Sequence, residues 1–338
     1  MIETRFIAEW ESCSHVLLAL PDESTDWDYV LPEAQEQFVR LIRTLTDNGE
    51  HCIVLCHDRA GAESLLCDCN SDLLMIVEAP YNDTWTRDYG PITVIRGERT
   101  RSLDFGFNGW GLKFAADKDN LVNLFLHDNL VLDPERYRNV RDFILEGGSV
   151  ETDGQGTLLT TSRCLLSPNR NGGKSKKEIG ERLRDFLGVE HILWLDHGAL
   201  EGDDTDSHID TLCRIAPDNV ILFTGCRNMD DPQFEELLRM RAQLSLFRNM
   251  EGESYNLVEL PLPDPIFDSE GNRLPATYAN YLVTERNLFM PVYNQSANDL
   301  LACQTVRIAF PNHNIIPVDC RTLLLQHGSL HCSTMQIP

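Results

Sequence analysis

Basic residues are scarce in this chain. Its 338 residues include 29 Lys and Arg against 53 Asp and Glu, which gives a formal net charge of −24. Such a chain repels phosphate backbones and anionic lipid, so nucleic acid and membrane surfaces are poor candidate partners. A small cationic molecule would instead be attracted, although the same charge is also typical of a protein that is simply kept soluble.

Long apolar runs and regular cysteine spacing are missing as well. No apolar run approaches the ~20 residues needed to span a bilayer, and the start, Met1–Arg5, lacks the apolar centre of a signal peptide. The eleven cysteines are an odd number without the dense spacing of a secreted disulfide scaffold. We therefore expect a cytoplasmic protein with reduced thiols.

Metal-binding signatures are also lacking. The pairs Cys52/Cys56 and Cys67/Cys69 are not Cys-x-x-Cys motifs, and neither has a second half at zinc-site spacing. We expect these cysteines to pack in the core or lie at the surface, with no metal and no organic cofactor in the protein.

Short apolar segments alternate with helical patterns along the whole length. Nine of the segments are predicted strands: Val16–Leu20, Ile53–Leu55, Leu73–Val77, Pro91–Ile95, Thr157–Thr161, His191–Leu195, Asn219–Thr224, Tyr255–Leu260 and Asn280–Thr284. Pro32 can begin a helix that ends at Gly49, and Ser175 with Glu178 forms a capping box for a helix that stops before Gly188. No Pro/Ser-rich linker divides the chain, so residues 1–338 are predicted to form one α/β domain of repeated units.

The first chemistry-bearing segment is Trp85–Pro91. A carboxylate at Asp88 beside an aromatic side chain at Trp85 can recognise a planar cation through bidentate hydrogen bonds and cation–π contact. The alternative is a salt-bridged turn that leads into the strand at Pro91–Ile95.

Two further segments carry acidic residues beside glycine or histidine. Glu146 precedes Gly147 and Gly148, which permit close backbone approach and positive φ, although a bulge between strands would use them too. In the acidic run that ends at His208 and Asp210, an extended backbone would place these two side chains on one side. This run is either a solvated loop or, as we favour, a carboxylate-rich cavity for a cation.

Cys332 lies a few residues before the C-terminal Pro338. Because chain termini are usually frayed, a core role there is unusual, and a nucleophilic thiolate is a better interpretation. With few basic residues near it, the positive charge that favours ionisation can come from the substrate.

These residues together suit chemistry on a guanidinium group, a resonance-stabilised and permanently charged electrophile. Asp88 and Asp210 would grip its N–H groups, and the thiolate of Cys332 would add to the central carbon. His208 would protonate the departing amine and later deprotonate water, and Glu146 would support the histidine or the guanidinium.

At these positions the sequence resembles the agmatine deiminase family, within the guanidine-modifying superfamily that includes peptidylarginine and arginine deiminases. The matching segments run in the family's order through nearly the whole chain: Ala8–Glu11, Trp85–Pro91, Phe105–Gly111, Leu145–Ser149, Asp153–Thr157, Gly202–Asp210 and His327–Pro338.

The resemblance implies a pentein fold, a five-bladed α/β propeller of strand–strand–helix–strand units around a substrate tunnel. It implies Cys332 as nucleophile, His208 as general acid/base, and Asp88, Asp210 and Glu146 as their partners. Family members hydrolyse agmatine to N-carbamoylputrescine and ammonia, a step toward putrescine, and are commonly dimers or larger homo-oligomers.

Substrate choice depends on the far end of the tunnel. The loop before His208 offers three aspartates, at 203, 204 and 206, and no Lys or Arg, which favours the ammonium of agmatine over the carboxylate of arginine. Asp204 is the predicted ammonium contact, and Trp85 and Trp110 are predicted to wall the tunnel. A peptidylarginine deiminase and a non-catalytic polyamine-binding protein remain alternatives.

One segment departs from the family's pattern. The chain reads Ile7–Cys13 where the family has Pro-Ala-Glu-Trp-Glu-Pro-His, and we expect this difference at the rim of the tunnel.

Overall fold

The computed structural model describes residues 4–11 and 14–337. The described residues contain seventeen strands: β1 (Thr4–Phe6), β2 (His15–Ala19), β3 (Cys52–Cys56), β4 (Leu74–Glu78), β5 (Ile92–Arg96), β6 (Arg99–Gly106), β7 (Tyr137–Ile144), β8 (Val150–Thr152), β9 (Thr157–Thr161), β10 (His191–Leu195), β11 (Cys213–Ala216), β12 (Val220–Gly225), β13 (Asn256–Pro261), β14 (Leu282–Val283), β15 (Asn287–Val292), β16 (Asn314–Asp319) and β17 (Met335–Ile337).

Ten α-helices connect these strands in the same part of the chain: α1 (Leu31–Asp47), α2 (Arg59–Leu65), α3 (Thr86–Tyr89), α4 (Gly109–Leu112), α5 (Val122–Asp128), α6 (Ser162–Leu165), α7 (Lys176–Leu187), α8 (Ile209–Leu212), α9 (Phe234–Leu244) and α10 (Ser296–Ala309). The predicted capping box of Ser175 and Glu178 is present at the start of α7, and Gly188 ends that helix in the left-handed conformation. Within the described residues, no helix has both the length and the apolar character that a bilayer crossing requires.

The strands form five separate sheets within the described residues, and all five share one plan. A first strand pairs antiparallel with a second, and the second pairs parallel with a third after a helical crossover, as in β8, β9 and β10. This strand–strand–helix–strand pattern recurs in β5–β7, β11–β13 and β14–β16. The predicted α/β class is confirmed, and the number of sheets equals the number of units that the resemblance implies.

The fifth sheet joins the two ends of the chain. Its first strand is β17, which pairs antiparallel with β2, while β2 and β3 pair in parallel around α1. Because β17 is hydrogen-bonded within a sheet, the residues just before it are held in place, even though they lie close to the C-terminus. The apolar stripe of α1 (Phe38, Leu41, Ile42 and Leu45) is fully buried against this sheet.

Candidate active site

The residues predicted to carry the chemistry share one structural position. Each lies within a few residues ahead of the first strand of its sheet: Asp88 before β5, Glu146 before β8, His208 and Asp210 before β11, and Cys332 before β17. Asn280, which the sequence analysis placed inside a strand, precedes β14 in the same way. Five equivalent connections therefore supply the site.

The thiol of Cys332 is 7% exposed and faces hydrogen-bonding oxygens. Its Sγ lies 3.4 Å from Asn280 Oδ1 and 3.8 Å from the Oδ2 atom of Asp210. Burial raises the pKa of Cys332 well above its ordinary value, and the negative charges of Asp210 and Asp88 raise it further. These surroundings favour the thiol, and a cation bound beside it would favour the thiolate.

His208 is fully buried between two carboxylates. Its Nε2 lies 3.3 Å from Glu146 Oε2, and its Nδ1 lies 3.6 Å from Asp88 Oδ1. Burial alone would lower the pKa of His208, but the charge of Asp88 and the hydrogen bond to Glu146 raise it well above the ordinary value. The imidazolium form, a proton donor, is thus stabilised.

The extended backbone predicted for this segment is wrong. His208 caps the start of α8, and Asp210 lies in the first turn of that helix. The Thr205 hydroxyl accepts the backbone N–H of His208, and the carbonyl of His208 accepts hydrogen bonds from the N–H and hydroxyl of Thr211. These local hydrogen bonds close a turn that side-chain alternation alone does not predict.

Asp88 is held by donors from two other segments. Trp110 Nε1 donates to Oδ2 at 2.8 Å, and the backbone N–H of Gly148 donates to Oδ1 at 2.9 Å. Burial nevertheless raises the pKa of Asp88. The alternative of an Arg-Asp salt-bridged turn is not observed, because Arg87 pairs with Glu9 instead.

Trp110 reaches Asp88 from an unusual backbone. All four residues of α4 have positive φ: 67° at Gly109, 53° at Trp110, 84° at Gly111 and 68° at Leu112. A left-handed turn disfavours residues with a Cβ atom, so this strain persists only because surrounding contacts hold the turn. The left-handed turn directs the indole of Trp110 toward both the Asp88 carboxylate and the cleft.

Asp210 presents one oxygen to the protein and leaves the other without a partner. Its Oδ2 accepts hydrogen bonds from His331 Nδ1 at 2.7 Å and from Asn280 Nδ2 at 3.2 Å. Among the described residues no group donates to Oδ1, although it is buried. Burial would raise the pKa of Asp210, but the hydrogen bond and charge of His331 lower it. An ionised oxygen is therefore available to a substrate N–H.

Gly148 lies where three of these side chains meet. A Cβ atom added to it would be 2.7 Å from His208 Nδ1, 2.9 Å from Asp88 Oδ1 and 3.0 Å from Asp210 Oδ2. The close approach predicted for the paired glycines is confirmed, whereas the predicted positive φ occurs at neither Gly147 nor Gly148.

A cleft of about 510 Å³ opens in front of Cys332 and Asp88. Its walls include Trp85 and Trp110, as predicted, and six aspartates: Asp26, Asp83, Asp88, Asp119, Asp203 and Asp204. Burial raises the pKa of Asp83 to about 7 and that of Asp119 to about 8. Neither aspartate has an ion-pair partner among the described residues, so this cleft favours a cationic ligand.

The loop before His208 uses its three aspartates differently. Asp203 accepts hydrogen bonds from Thr205 and from the Ser207 backbone, which shape the loop. Asp206 pairs with Lys113 at 2.8 Å and with Arg170 at 2.6 Å. Among the described residues no other side chain bonds to the Asp204 carboxylate, whose pKa is raised by burial and by Asp203.

The described part of the N-terminal segment, residues 7–11, does not line the cleft. Glu9 does not line the cleft but pairs with Arg87 and Arg214 on the buried side of the site. Ser12 and Cys13, the altered end of this segment, lie outside the described residues. The altered rim therefore stays a prediction.

Residues 5–338 match the model of the Porphyromonas-type peptidyl-arginine deiminase family. The chain belongs to this family. Among curated relatives, an agmatine deiminase of Pseudomonas aeruginosa is 31% identical and aligns over 99% of this chain and 95% of its own length.

Solved structures agree with this membership. A cysteine-to-serine variant of a C. jejuni agmatine deiminase with substrate bound is 35% identical, with a TM-score of 0.91 and coverage of 99% of this chain and 96% of its own. A Porphyromonas gingivalis structure named as a candidate arginine deiminase is 42% identical, with a TM-score of 0.92 and coverage of 99% and 98%. The family's members therefore carry names for different guanidine substrates.

Four residues of this site were missed from the sequence. Asn280 bonds Asp210 and Cys332, His331 bonds Asp210, Arg170 bonds Glu146, and Cys164 lies beside Glu146. For Asn280 the signal lies in the structural repeat, because it holds the same position before its sheet as the predicted site residues, and this repeat is not visible in the sequence. For Arg170 and Cys164 the local sequence carries no comparable signal.

Glu146 faces away from the cleft toward Arg170, whose Nε donates to both of its oxygens at 3.0 and 2.8 Å. Burial would raise the pKa of Glu146, but His208 and Arg170 lower it. Glu146, Cys164 and His208 could in principle offer ligand atoms to a metal, since these atoms lie within 4.8 Å of one another. A metal cation there would meet the guanidinium of Arg170, so the surroundings do not fit one.

Proposed function

We propose that this chain hydrolyses agmatine to N-carbamoylputrescine and ammonia through a covalent intermediate on Cys332. The observation that carries the proposal is the meeting of a buried thiol, an imidazolium-favouring histidine and aspartates at the inner end of an acidic cleft. Agmatine is a dication, with a guanidinium for the inner end of such a cleft and an ammonium for its outer part.

In the proposed binding step, Asp88 and the free Oδ1 atom of Asp210 accept hydrogen bonds from the guanidinium N–H groups. The bound cation offsets the negative charges that raise the pKa of Cys332, so the thiol ionises once substrate is present. The need for a cationic substrate would then be part of the selectivity of the enzyme.

In the proposed chemical steps, the thiolate adds to the guanidinium carbon and forms a C–S bond. His208 donates a proton to one nitrogen, the C–N bond to that nitrogen breaks, and ammonia leaves. The neutral imidazole then takes a proton from water, the resulting hydroxide adds to the thiouronium carbon, and the C–S bond breaks. The proton that Cys332 loses to solvent on ionising is taken up by the released ammonia, and the hydroxyl proton of the adduct passes to sulfur as the C–S bond breaks. The products are N-carbamoylputrescine, ammonium and the regenerated thiol.

Free arginine suits this cleft less well, because its carboxylate needs a cation. Among the described residues the cleft contains one lysine, Lys113, which already binds Asp206 and the backbone carbonyl of Asp204. Peptidyl-arginine is the second candidate substrate, favoured by the description of the family. It lacks the distal ammonium that the aspartates of the cleft would attract.

The test compares ammonia release from agmatine, free arginine, an arginine-containing peptide and methylguanidine. We expect agmatine to have the highest kcat/KM, and a higher value for the peptide would contradict the proposed substrate. Cys332→Ser should abolish turnover while calorimetry still detects agmatine binding. Undiminished ammonia release by this variant would contradict the covalent route, and a wild-type chain that binds agmatine without turnover would be a polyamine-binding protein.

A further inference from the structure

His331, the residue before the nucleophile, is buried between two carboxylates. Its Nδ1 lies 2.7 Å from Asp210 Oδ2, and its Nε2 lies 2.8 and 3.0 Å from the two oxygens of Glu9. The carboxylates come from opposite sides: Asp210 belongs to the site, and Glu9 belongs to the N-terminal segment.

The two contacts determine where the protons of His331 lie. An ionised carboxylate can only accept hydrogen bonds, so a ring nitrogen that faces one must donate. Since both nitrogens face carboxylates, the imidazolium is the form that satisfies both contacts. Arg214 Nη2 also lies 3.2 Å from Nε2, but this nitrogen donates to Glu9 at 2.6 Å.

Glu9 is suited to remain ionised in this position. Arg87 donates to it at 2.8 Å and Arg214 at 2.6 Å, and Gln336 adds a third donor at 3.2 Å. Burial would raise the pKa of Glu9, but the charges of Arg87, His331 and Arg214 lower it well below the ordinary value. The anion on the far side of His331 is therefore held by two buried cations.

We propose that Glu9 and His331 are positioning residues that keep Asp210 ionised and turned so that its free Oδ1 meets the guanidinium. His331 occupies Oδ2 through a charge-assisted hydrogen bond, and Glu9 keeps His331 protonated and in place. The proposal rests on the proposed function, because the guanidinium is the group that Asp210 would bind. It makes the N-terminal segment a functional part of the site.

Glu9→Gln keeps the shape of the side chain and removes its charge, and Glu11→Gln is the matched control. Glu11 lies on the same segment, where it pairs with Arg5 and accepts the N–H of Ala8, without contact to His331. We expect Glu9→Gln to lower kcat/KM for agmatine about tenfold and Glu11→Gln to change it less than about twofold, since only the first variant loses the charge-assisted hydrogen bond to His331.

The pH profile separates positioning from a general loss of structure. Without the negative charge of Glu9, the charge-assisted hydrogen bond from His331 to Asp210 weakens, and the pKa of Asp210 rises. The acidic limb of kcat/KM should therefore move to higher pH in Glu9→Gln and stay in place in Glu11→Gln. Glu9→Asp, which keeps the charge, should keep the wild-type limb. A limb that does not move in Glu9→Gln overturns the proposal.

A second measurement does not depend on turnover. In histidine labelled with ¹⁵N, both ring nitrogens of His331 should have the chemical shifts of protonated nitrogens in the ligand-free wild type and in Glu11→Gln, because each faces a carboxylate. The signal should change to that of a neutral ring in Glu9→Gln. A neutral His331 in the wild type overturns the proposal, whereas failure to turn over agmatine with an intact imidazolium signal overturns only the proposed function.

Discussion

Two groups of carboxylates in this protein differ in how their negative charge is balanced. Asp83, Asp119 and Asp204 line the cleft, and burial raises the pKa of each. Glu9 and Glu146 lie on the buried side of the site, where neighbouring cations lower the pKa of each. We call the first group the front carboxylates and the second the back carboxylates.

The difference lies in the partners of the two groups. The back carboxylates contact Arg87, Arg170, Arg214 or a histidine. The front carboxylates have no ion-pair partner among the described residues. A buried carboxylate without a cation is costly, so its presence in a cleft indicates a cation that arrives with the ligand. Glu151 is an exception on the buried side, where its own burial raises its pKa to about 7 although Arg214 pairs with it.

The largest expected effect comes from separating the side chains that meet at Gly148, which lies between the front carboxylates and the back carboxylates. In Gly148→Ala the new methyl group would lie within 3.0 Å of Asp88, His208 and Asp210, so these side chains must move apart. We expect ammonia release to fall by about 100-fold or more, the cost of misplacing reacting groups by about 1 Å.

Gly180→Ala in α7 is the control for this change, because the nearest contact of its new methyl is the flexible Arg184 side chain at 3.2 Å. It should keep full turnover. Wild-type turnover in Gly148→Ala would show that the three side chains need not converge.

A smaller effect should follow when Asp204, one of the front carboxylates, loses its charge. Asp204→Asn should raise the KM for agmatine about tenfold, because a half-buried ion pair with the ammonium is lost, and should leave methylguanidine almost unchanged. Steady-state kinetics with agmatine and with methylguanidine measures the two KM values.

Asp206→Asn serves as the comparison, since Asp206 holds Arg170 and Lys113 within the protein. Asp206→Asn should weaken the binding of agmatine and of methylguanidine alike. If Asp204→Asn also weakened the binding of both substrates equally, Asp204 would not be the ammonium contact.

The smallest effect concerns stability and its dependence on pH. The pKa of Asp119 is about 8 in the folded protein and about 4 in the unfolded chain. Between these values the folded protein holds a proton that the unfolded chain releases. Raising the pH from about 5 to about 9 therefore lowers the free energy of unfolding through this residue. Asp119→Asn keeps an acceptor for the backbone N–H groups of Asn82 and Asp83. Because asparagine does not titrate, the free energy of unfolding does not fall through this residue as the pH rises.

Thermal unfolding at several pH values should thus show Asp119→Asn gaining stability relative to wild type as the pH rises. Asp185→Asn, at an exposed aspartate on α7, should follow the wild type throughout. A constant difference between Asp119→Asn and wild type across this range would mean that Asp119 is not an unbalanced front carboxylate.

Much of the architecture could be predicted from local pattern. The strands Thr157–Thr161 and His191–Leu195 were predicted with their observed bounds, because β-branched and apolar residues lie there between turn-forming residues. The extended backbone predicted at His208 and Asp210 was wrong because a turn closes there: His208 donates its N–H to Thr205, and its carbonyl accepts from Thr211. The fivefold repeat was not visible in the residues, since the five units share backbone geometry more than sequence.

The sequence by itself determined which chemical groups this protein can use: a thiol, an imidazole and many carboxylates, with few cations to balance them. Only the tertiary structure decided which oxygen of Asp210 stays free, and that Glu9 meets His331 from 322 positions away along the chain. The physical reason is that a side chain's identity is local, whereas its charge state and direction depend on the neighbours that the five sheets pack around it.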